Sequence, residues 1–290
     1  MPFYGTTGPI GFGQLQDIVR DTSGLYSRWQ DSVGIVVNAR AQLTGPSGGL
    51  KLRSFEYYGE AGYYGHVPAF CEGLGAEPSL MVTGTAFVVD SRTVATAAHV
   101  IDGVLEEVNG GTLADLRIAF GYRFKPSGTI GLPDPKADIY RVKRVYRNTA
   151  EDWALLEVDG SLGRTSLPLA TGLELGGLRV GNPLYMIGHP LGMPLKYTTG
   201  GQVFALPGGT RFHTQLDGLA GNSGSPVFSG RLDKVVGMFV SSTVTADVAK
   251  HPDHDCTWFH RVDPASGEHD EAVLINLIDR SRGSRTDVSD

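Results

Sequence analysis

Three side chains in this sequence have the types and order that nucleophilic catalysis requires. His99 follows a run of small residues, Asp152 comes 53 residues later before an apolar run, and Ser223 stands 71 residues further on in a glycine-rich loop. A serine hydroxyl becomes a good nucleophile only when a base takes its proton, and imidazole titrates near neutral pH. A carboxylate on the other ring nitrogen fixes the tautomer and stabilises the imidazolium. The three residues therefore predict a catalytic triad.

The glycines beside the serine indicate where charge would be stabilised. Gly221 and Gly224 flank Ser223 and allow the backbone to curl around it. The backbone N–H groups of Gly221 and Ser223 can then point at the oxyanion that forms during acyl transfer. A side chain at position 221 would obstruct the carbonyl of a bound substrate. We expect these two N–H groups to form the oxyanion hole.

Other nucleophile arrangements fit the sequence less well. An α/β-hydrolase needs a G-x-S-x-G loop with its acid and base after the serine, but Ser225 occupies the last glycine position and both partners precede Ser223. Neither Cys71 nor Cys256 lies in a comparable loop, so a cysteine nucleophile is not predicted. Two free, buried thiols are the simpler interpretation of these cysteines, and a single disulfide is the alternative.

Two neighbouring residues compete for the roles of acid and base. Glu151 is adjacent to Asp152, but the strand alternation after position 152 favours Asp152 as the acid. His189 follows Asp152 in a G-H-P segment, and we interpret it as a turn histidine at the edge of the second half of the protein.

The three motifs together resemble the chymotrypsin-like (trypsin-like) serine proteases. The matching segments are T-A-A-H at 96–99, D-W-A-L-L at 152–156 and G-N-S-G-S-P at 221–226, and the resemblance covers roughly 82–240. It implies two consecutive antiparallel β-barrels and a hydrolase that cleaves polypeptides through an acyl-enzyme on Ser223, with no cofactor. The alternative is a catalytically silent, protease-like module that binds a peptide.

Departures from the pancreatic-type enzymes indicate a branch of this family. Asn222 replaces the aspartate that pairs with a new N-terminal ammonium, and Val100 replaces the cysteine after the histidine. These changes, with residues 187–192 and 196–200, resemble the bacterial branch that includes the glutamyl endopeptidases. The resemblance implies an oxyanion loop that forms without proteolytic processing.

The resemblance also places the pocket for the P1 side chain between two segments. One wall precedes the nucleophile and the other lies on the following strand: Asp217, Gly218, Leu219, Ala220, Val240, Ser241 and Ser242. Glutamyl endopeptidases of this kind carry a histidine on the second wall, which this chain lacks, so strict glutamate specificity is not expected. Asp217 either favours Arg or Lys in the pocket or binds backbone amides of its own loop.

The pattern along the chain predicts an all-β protein with a helix at each end. Short apolar runs separated by turn residues predict strands at 33–37, 85–89, 94–98, 116–120, 140–146, 154–158, 184–187, 202–205, 226–228 and 235–241. Helical spacing predicts helices at 13–29 and 270–280. The predicted units are an N-terminal, partly helical extension (1–30), two barrels (31–165 and 166–268) and a C-terminal helix and tail (269–290). Residues 44–78, without periodicity, predict long loops or a β-ribbon.

Composition and charge exclude several partners. Hydrophobic residues make up 41% of the 290-residue chain, its formal net charge is -6, and no run of Lys or Arg occurs. Nucleic acid is therefore not an expected partner, and no apolar stretch is long enough for a membrane-spanning helix. No signal peptide is evident, which predicts a cytoplasmic protein unless a leader is missing. The cluster of His251, His254, Cys256 and His260 matches no standard zinc spacing, so no metal site is predicted.

Overall fold

Two closed antiparallel barrels of six strands each form the body of the protein. The computed structural model describes residues 3–4, 15–17, 20–44, 48–63, 69–71, 73–216, 218–244, 246–251, 253–262 and 264–288. This double-barrel architecture confirms the chymotrypsin-type fold class that the sequence predicts. Apolar side chains from both barrels form one continuous core that includes Phe87, Trp153, Phe228 and Phe239.

Most of the β-branched and apolar residues in the strands of the first barrel are buried. Its strands are Val33–Asn38, Gly84–Asp90, Thr93–Thr96, Leu116–Phe120, Ile139–Asn148 and Trp153–Val158. The barrel closes where Trp153–Val158 pairs with Ile139–Asn148. The late strand Ser284–Asp287 adds to Ile139–Asn148 from outside this barrel.

The second barrel repeats this plan in the other half of the chain. Its strands are Pro183–Gly188, Lys196–Ala205, Arg211–Thr214, Pro226–Ser229, Lys234–Ser242 and Asp270–Leu274. It closes through the pairing of Pro183–Gly188 with Lys196–Ala205, and the N-terminal strand Leu15–Asp17 adds to Lys196–Ala205. All the pairings within both barrels are antiparallel.

The predicted C-terminal helix is wrong. Asp270–Leu274 is a barrel strand, and only short 3-10 turns follow it at Ile275–Leu277 and Arg280–Arg282. The strand pairs on one side with Arg211–Thr214 and on the other with Lys234–Ser242. These two ladders satisfy its backbone groups, and they outweigh a helical apolar spacing that is too short to stabilise an isolated helix.

The predicted N-terminal helix is also not formed where the structure describes the segment. Leu15–Asp17 is extended, and the 3-10 helix Ser27–Ser32 overlaps only the end of the predicted range. The remaining predicted residues 13, 14, 18 and 19 lie outside the described residues. Pairing of Leu15–Asp17 with the second barrel explains the extended conformation.

Helices and minor strands lie in the connections between barrel strands. The α-helices are Ala39–Gln42, Phe55–Glu60, Ala98–Glu106 and Gly172–Leu175, and further 3-10 turns are Leu113–Asp115, Pro190–Gly192 and Pro264–Ser266. The short strands are Phe3–Tyr4, Arg53–Ser54, Pro78–Ser79, Arg123–Phe124, Ile130–Gly131, Val248–Lys250, Thr257–Phe259 and Arg261–Val262. Over the ranges given above, none of the helices has the length and apolar character to cross a membrane.

A disulfide joins the segment before the first barrel's second strand to the connection that precedes the last strand of the second barrel. Cys71 and Cys256 are bonded across 185 residues, so the interpretation as two free thiols is wrong and the alternative holds. The bond lies beside a separate apolar cluster in which Phe55 and Phe70 meet Phe259. In the described part of the segment 44–78, the predicted β-ribbon corresponds to the short pairing of Arg53–Ser54 with Pro78–Ser79.

Candidate active site

His99 is presented by the first turn of the helix Ala98–Glu106, directly after the strand Thr93–Thr96. Its ring Nδ1 lies 2.8 Å from Asp152 Oδ2, and its backbone N–H donates to Asp152 Oδ1 at 3.0 Å. An ionised carboxylate only accepts hydrogen bonds, so Nδ1 carries the proton. This tautomer leaves Nε2 as the acceptor nitrogen, which is the form that a general base requires.

Asp152 lies in the turn that leads into the strand Trp153–Val158. Its φ of 61° is in the left-handed region, which aspartate tolerates better than most residues. The neighbouring Glu151 points elsewhere, because its carboxylate accepts from Trp153 Nε1 at 3.1 Å and pairs with Arg282 at 2.7 Å. Only one of the two adjacent carboxylates therefore contacts His99.

Ser223 stands in a loop whose shape depends on two glycines with positive φ. Gly221 has φ of 85° and Gly224 has φ of 88°. A Cβ at Gly224 would lie 2.1 Å from the carbonyl oxygen of Thr85, and one at Gly221 would lie 2.6 Å from that of His189. No other residue type fits either position without displacing backbone.

A hydrogen bond to the preceding carbonyl constrains the direction of the Gly221 N–H. The N–H of Leu191 donates to the carbonyl of Ala220 at 2.5 Å. In a trans peptide the C=O and the following N–H point in opposite directions. The N–H of Gly221 therefore points away from Leu191.

The three predicted triad residues line one cleft of about 450 Å³ between the barrels. Of the predicted P1-pocket residues, Ala220, Val240, Ser241 and Ser242 line the same cleft, as does Gly221. The cleft wall also contains residues that the sequence analysis did not assign to the site: Val82, Thr83, Val100, Gly103 and Val104. All five lie on the His99 helix or just before the strand Gly84–Asp90, and no sequence motif marks them as cleft residues.

Two of the other predicted pocket residues lie elsewhere. Leu219 is buried in the apolar cluster with Phe55, and a Cβ at Gly218 would meet the ring of Phe239 at 2.1 Å. Neither residue lines the cleft. Asp217 lies outside the described residues.

Asp270 is a buried carboxylate beneath this region that the sequence analysis missed. It accepts from the N–H of Leu216 at 2.9 Å and of Gly218 at 3.4 Å, and it pairs in register with Ser242. Burial raises its pKa to about 6, although these backbone hydrogen bonds oppose the shift. The apolar pattern that surrounds it indicated a helix boundary, so nothing in the sequence marked it as a core carboxylate.

His189 lies at the start of the 3-10 turn Pro190–Gly192, directly after a strand of the second barrel, and it is buried. Its Nδ1–H donates to the carbonyl of Met193 at 3.0 Å, and its ring stacks on Tyr122. Burial lowers its pKa to about 4, against the effect of that hydrogen bond. It does not line the cleft, which agrees with the interpretation that it is not the catalytic base.

One group of side chains has the types that bind transition metals. His213, His269 and Glu271 place ligand atoms within 4.8 Å of one another. The two imidazole rings stack at 3.9 Å, and the carboxylate is already bound by Arg211 at 2.5 Å. In the separate cluster at 251–260, Cys256 is consumed by the disulfide. Neither arrangement resembles a preformed tetrahedral site.

Comparison with known proteins identifies the family. Residues 84–238, more than half of the chain, match the trypsin-like peptidase domain. The chain belongs to this family. The matched region contains His99, Asp152 and Ser223.

Individual relatives are more distant. The formylaminopyrimidine-binding protein of Halalkalibacterium halodurans is 34% identical over 103 residues, which are 36% of this chain and only 28% of that protein. Among solved structures, the active form of the Rv3671c protease from M. tuberculosis is similar with a TM-score of 0.51 and 14% identity, over 100% of this chain and 94% of that one. Deg5 is similar with a TM-score of 0.46 and 19% identity, over 76% of this chain and 84% of that one. The likeness to the Rv3671c protease shows the fold.

Proposed function

We propose that the chain is a serine endopeptidase that hydrolyses peptide bonds through an acyl-enzyme on Ser223. The observation that carries the proposal is the 2.8 Å contact between His99 Nδ1 and Asp152 in the cleft that also contains Ser223. Membership of the trypsin-like peptidase family supports it. The proposed substrate is a polypeptide, and no cofactor takes part.

The proposed reaction has two halves, acylation and deacylation, and the same residues act in both. His99 Nε2 takes the proton from Ser223 Oγ as the oxygen attacks the substrate carbonyl, and Asp152 stabilises the imidazolium. The N–H groups of Gly221 and Ser223 bind the oxyanion. His99 then gives its proton to the leaving amine, the C–N bond breaks, and the acyl-enzyme remains. Water then gives a proton to His99 and attacks the acyl carbon, the C–O bond to Ser223 breaks, and His99 returns the proton to Ser223 Oγ as the carboxyl product leaves.

Substrate preference is proposed from the cleft walls. Ala220, Val240, Ser241 and Ser242 offer small apolar and hydroxyl groups to a P1 side chain. Because none of these four residues is charged, they do not select for a charged P1 side chain. Membership of the branch that includes the glutamyl endopeptidases remains a prediction.

The second candidate is a catalytically silent module that binds a peptide. The match to part of a binding protein is the observation that favours it. The triad contact favours the enzyme, because a binding module has no need of a carboxylate that fixes the tautomer of a cleft histidine.

A cleavage profile on a peptide library separates the two candidates. The full chain should cut peptides, and Ser223→Ala should lower turnover by about a millionfold. Ser225→Ala is the matched control, since within the described residues the buried Ser225 hydroxyl has no hydrogen-bond partner and its loss should be tolerated. Binding of peptides without cleavage by the wild-type chain would favour the silent module. Cleavage at the wild-type rate by Ser223→Ala would overturn the assignment of the nucleophile.

A further inference from the structure

The loop that carries the proposed oxyanion hole is held without a charge on its central residue. Asn222 is neutral and 1% exposed, and within the described residues its side-chain nitrogen has no hydrogen-bond partner. The amide nitrogen of Asn222 therefore contributes no described hydrogen bond to the loop. The orientation of the loop must therefore come from other contacts.

Thr85, on the strand Gly84–Asp90 of the first barrel, supplies several of these contacts. Its backbone N–H donates to the carbonyl of Ser223 at 2.8 Å, and its hydroxyl donates to the carbonyl of Gly221 at 2.8 Å. The same hydroxyl accepts from the N–H of His189 at 2.9 Å. Thr85 is fully buried, so water does not replace these bonds. One residue thus binds the carbonyls of both residues whose N–H groups form the proposed hole.

The Thr85 hydroxyl binds the carbonyl of Gly221, the residue at which the backbone of the loop can rotate most easily. Gly221 joins two peptide planes, and glycine has little intrinsic preference for one φ. The plane before Gly221, which contains the Gly221 N–H, is held by the bond from Leu191 to Ala220. The plane after it is held at its carbonyl by the Thr85 hydroxyl and at its N–H by the bond from Asn222 to Leu219 at 3.0 Å. Without the hydroxyl, the second plane keeps only the bond from Asn222, so it can rotate more freely about Gly221 relative to the plane that carries the Gly221 N–H.

We propose that Thr85 is a positioning residue for the oxyanion hole, acting through its side-chain hydroxyl on the Gly221 peptide. This inference rests on the proposed peptidase function. Thr85 does not line the cleft, so it touches neither the substrate nor the reacting atoms. Its role is to link the first barrel to the nucleophile loop and to His189 of the second barrel.

Substitution by an isostere isolates the hydroxyl. Thr85→Val keeps the shape, whereas Thr85→Ser keeps the hydroxyl. Removing an oxyanion donor outright typically lowers kcat by about 100- to 1,000-fold, and loss of its positioning should cost less, about 10- to 100-fold. We expect Thr85→Val to lower kcat by that factor with KM nearly unchanged, and Thr85→Ser to recover most of the activity.

Controls separate positioning from a general loss of stability. Thr96→Val removes another buried hydroxyl, which donates to the carbonyl of Thr85 at 2.7 Å, but leaves the bond to Gly221 in place. When the two variants are compared under conditions in which both are folded, Thr96→Val should retain a higher kcat than Thr85→Val. If Thr85→Val does not fold, Thr85→Ala and Thr85→Ser provide a second pair, which differ only in the hydroxyl.

The outcomes distinguish this inference from the function on which it rests. An active wild type with an unchanged kcat in Thr85→Val, or equal damage from Val and Ser, overturns the positioning role alone. A folded wild type that cleaves no peptide overturns the proposed function, and the role of Thr85 with it. A selective loss of kcat in Thr85→Val with recovery in Thr85→Ser supports both.

Discussion

The first barrel presents its functional residues from the ends of regular elements, whereas the second presents Ser223 from a loop outside any strand. His99 begins a helix and Asp152 precedes a strand, so short-range structure places both. The nucleophile loop is instead held by bonds to distant backbone, including those from Thr85 to Ser223 and from Gly224 to Phe239. The acid and base thus depend on local secondary structure, and the nucleophile depends on contact between the barrels.

On the first-barrel side of this comparison, a change to the acid should have a large effect. Asp152→Asn should lower turnover by about ten-thousandfold, because an amide stabilises the wrong tautomer of His99 and does not neutralise the imidazolium. Steady-state hydrolysis of a peptide identified from the library measures this loss.

The adjacent carboxylate supplies the matched control for that change. Glu151→Gln keeps the shape of a side chain that contacts Trp153 and Arg282 and not His99. It should retain turnover within about tenfold of the wild type, since exposed ion pairs contribute little. If Glu151→Gln lost most of the turnover and Asp152→Asn lost little, Glu151 and not Asp152 would be the acid of the triad.

On the second-barrel side, Gly224→Ala should be strongly destabilising. Its Cβ would lie 2.1 Å from the carbonyl of Thr85 at a φ of 88°. Backbone strain and overpacking each typically cost about 1–3 kcal/mol, so we expect a loss of about 4 kcal/mol in the free energy of unfolding. Urea denaturation measures it.

A glycine in open space separates the clash from the backbone conformation. Gly121 has nearly the same φ, 85°, but no atom within 4 Å of its Cβ position. Gly121→Ala should therefore cost only about 1 kcal/mol. Equal losses in the two variants would show that contact with the first barrel does not shape the nucleophile loop.

The buried titratable groups of the second barrel give a smaller, pH-dependent effect. The pKa of Asp270 is raised from 3.8 to about 6, so the folded state binds more protons than the unfolded state between these values. Its contribution to stability therefore falls as pH rises from about 4 to 6. The pKa of His189 is lowered from 6.5 to about 4, so its contribution rises with pH over nearly the same window.

Single substitutions should separate these opposing contributions. From pH 4 to 6.5, Asp270→Asn should gain stability relative to the wild type by about 3 kcal/mol, and His189→Gln should lose a similar amount. Urea denaturation at several pH values compares the three proteins. Parallel pH profiles for both variants would contradict the assignment of these shifts to Asp270 and His189.

The sequence predicted best what short-range patterns determine. The barrel strands coincide with apolar runs, because these residues are buried in the barrels. The three motifs mark the triad segments, because the chemistry restricts their residue types. Asp270–Leu274 was misread because its apolar residues fit helical spacing, and only pairing with two distant strands makes it extended. The Cys71–Cys256 bond and the contacts of Thr85 likewise depend on residues far apart in the chain. Tertiary contacts of this kind have no local signature.

The central claim is that Ser223 is a nucleophile activated by His99 and Asp152. Its most direct test is peptide mapping by mass spectrometry after reaction of the full chain with a fluorophosphonate. The proposed mechanism predicts one adduct, on Ser223, and no adduct in the folded Ser223→Ala variant. His99→Ala should react far more slowly with the same probe. An adduct on Ser225 or another residue, or a folded wild-type chain that stays unmodified, would contradict the claim.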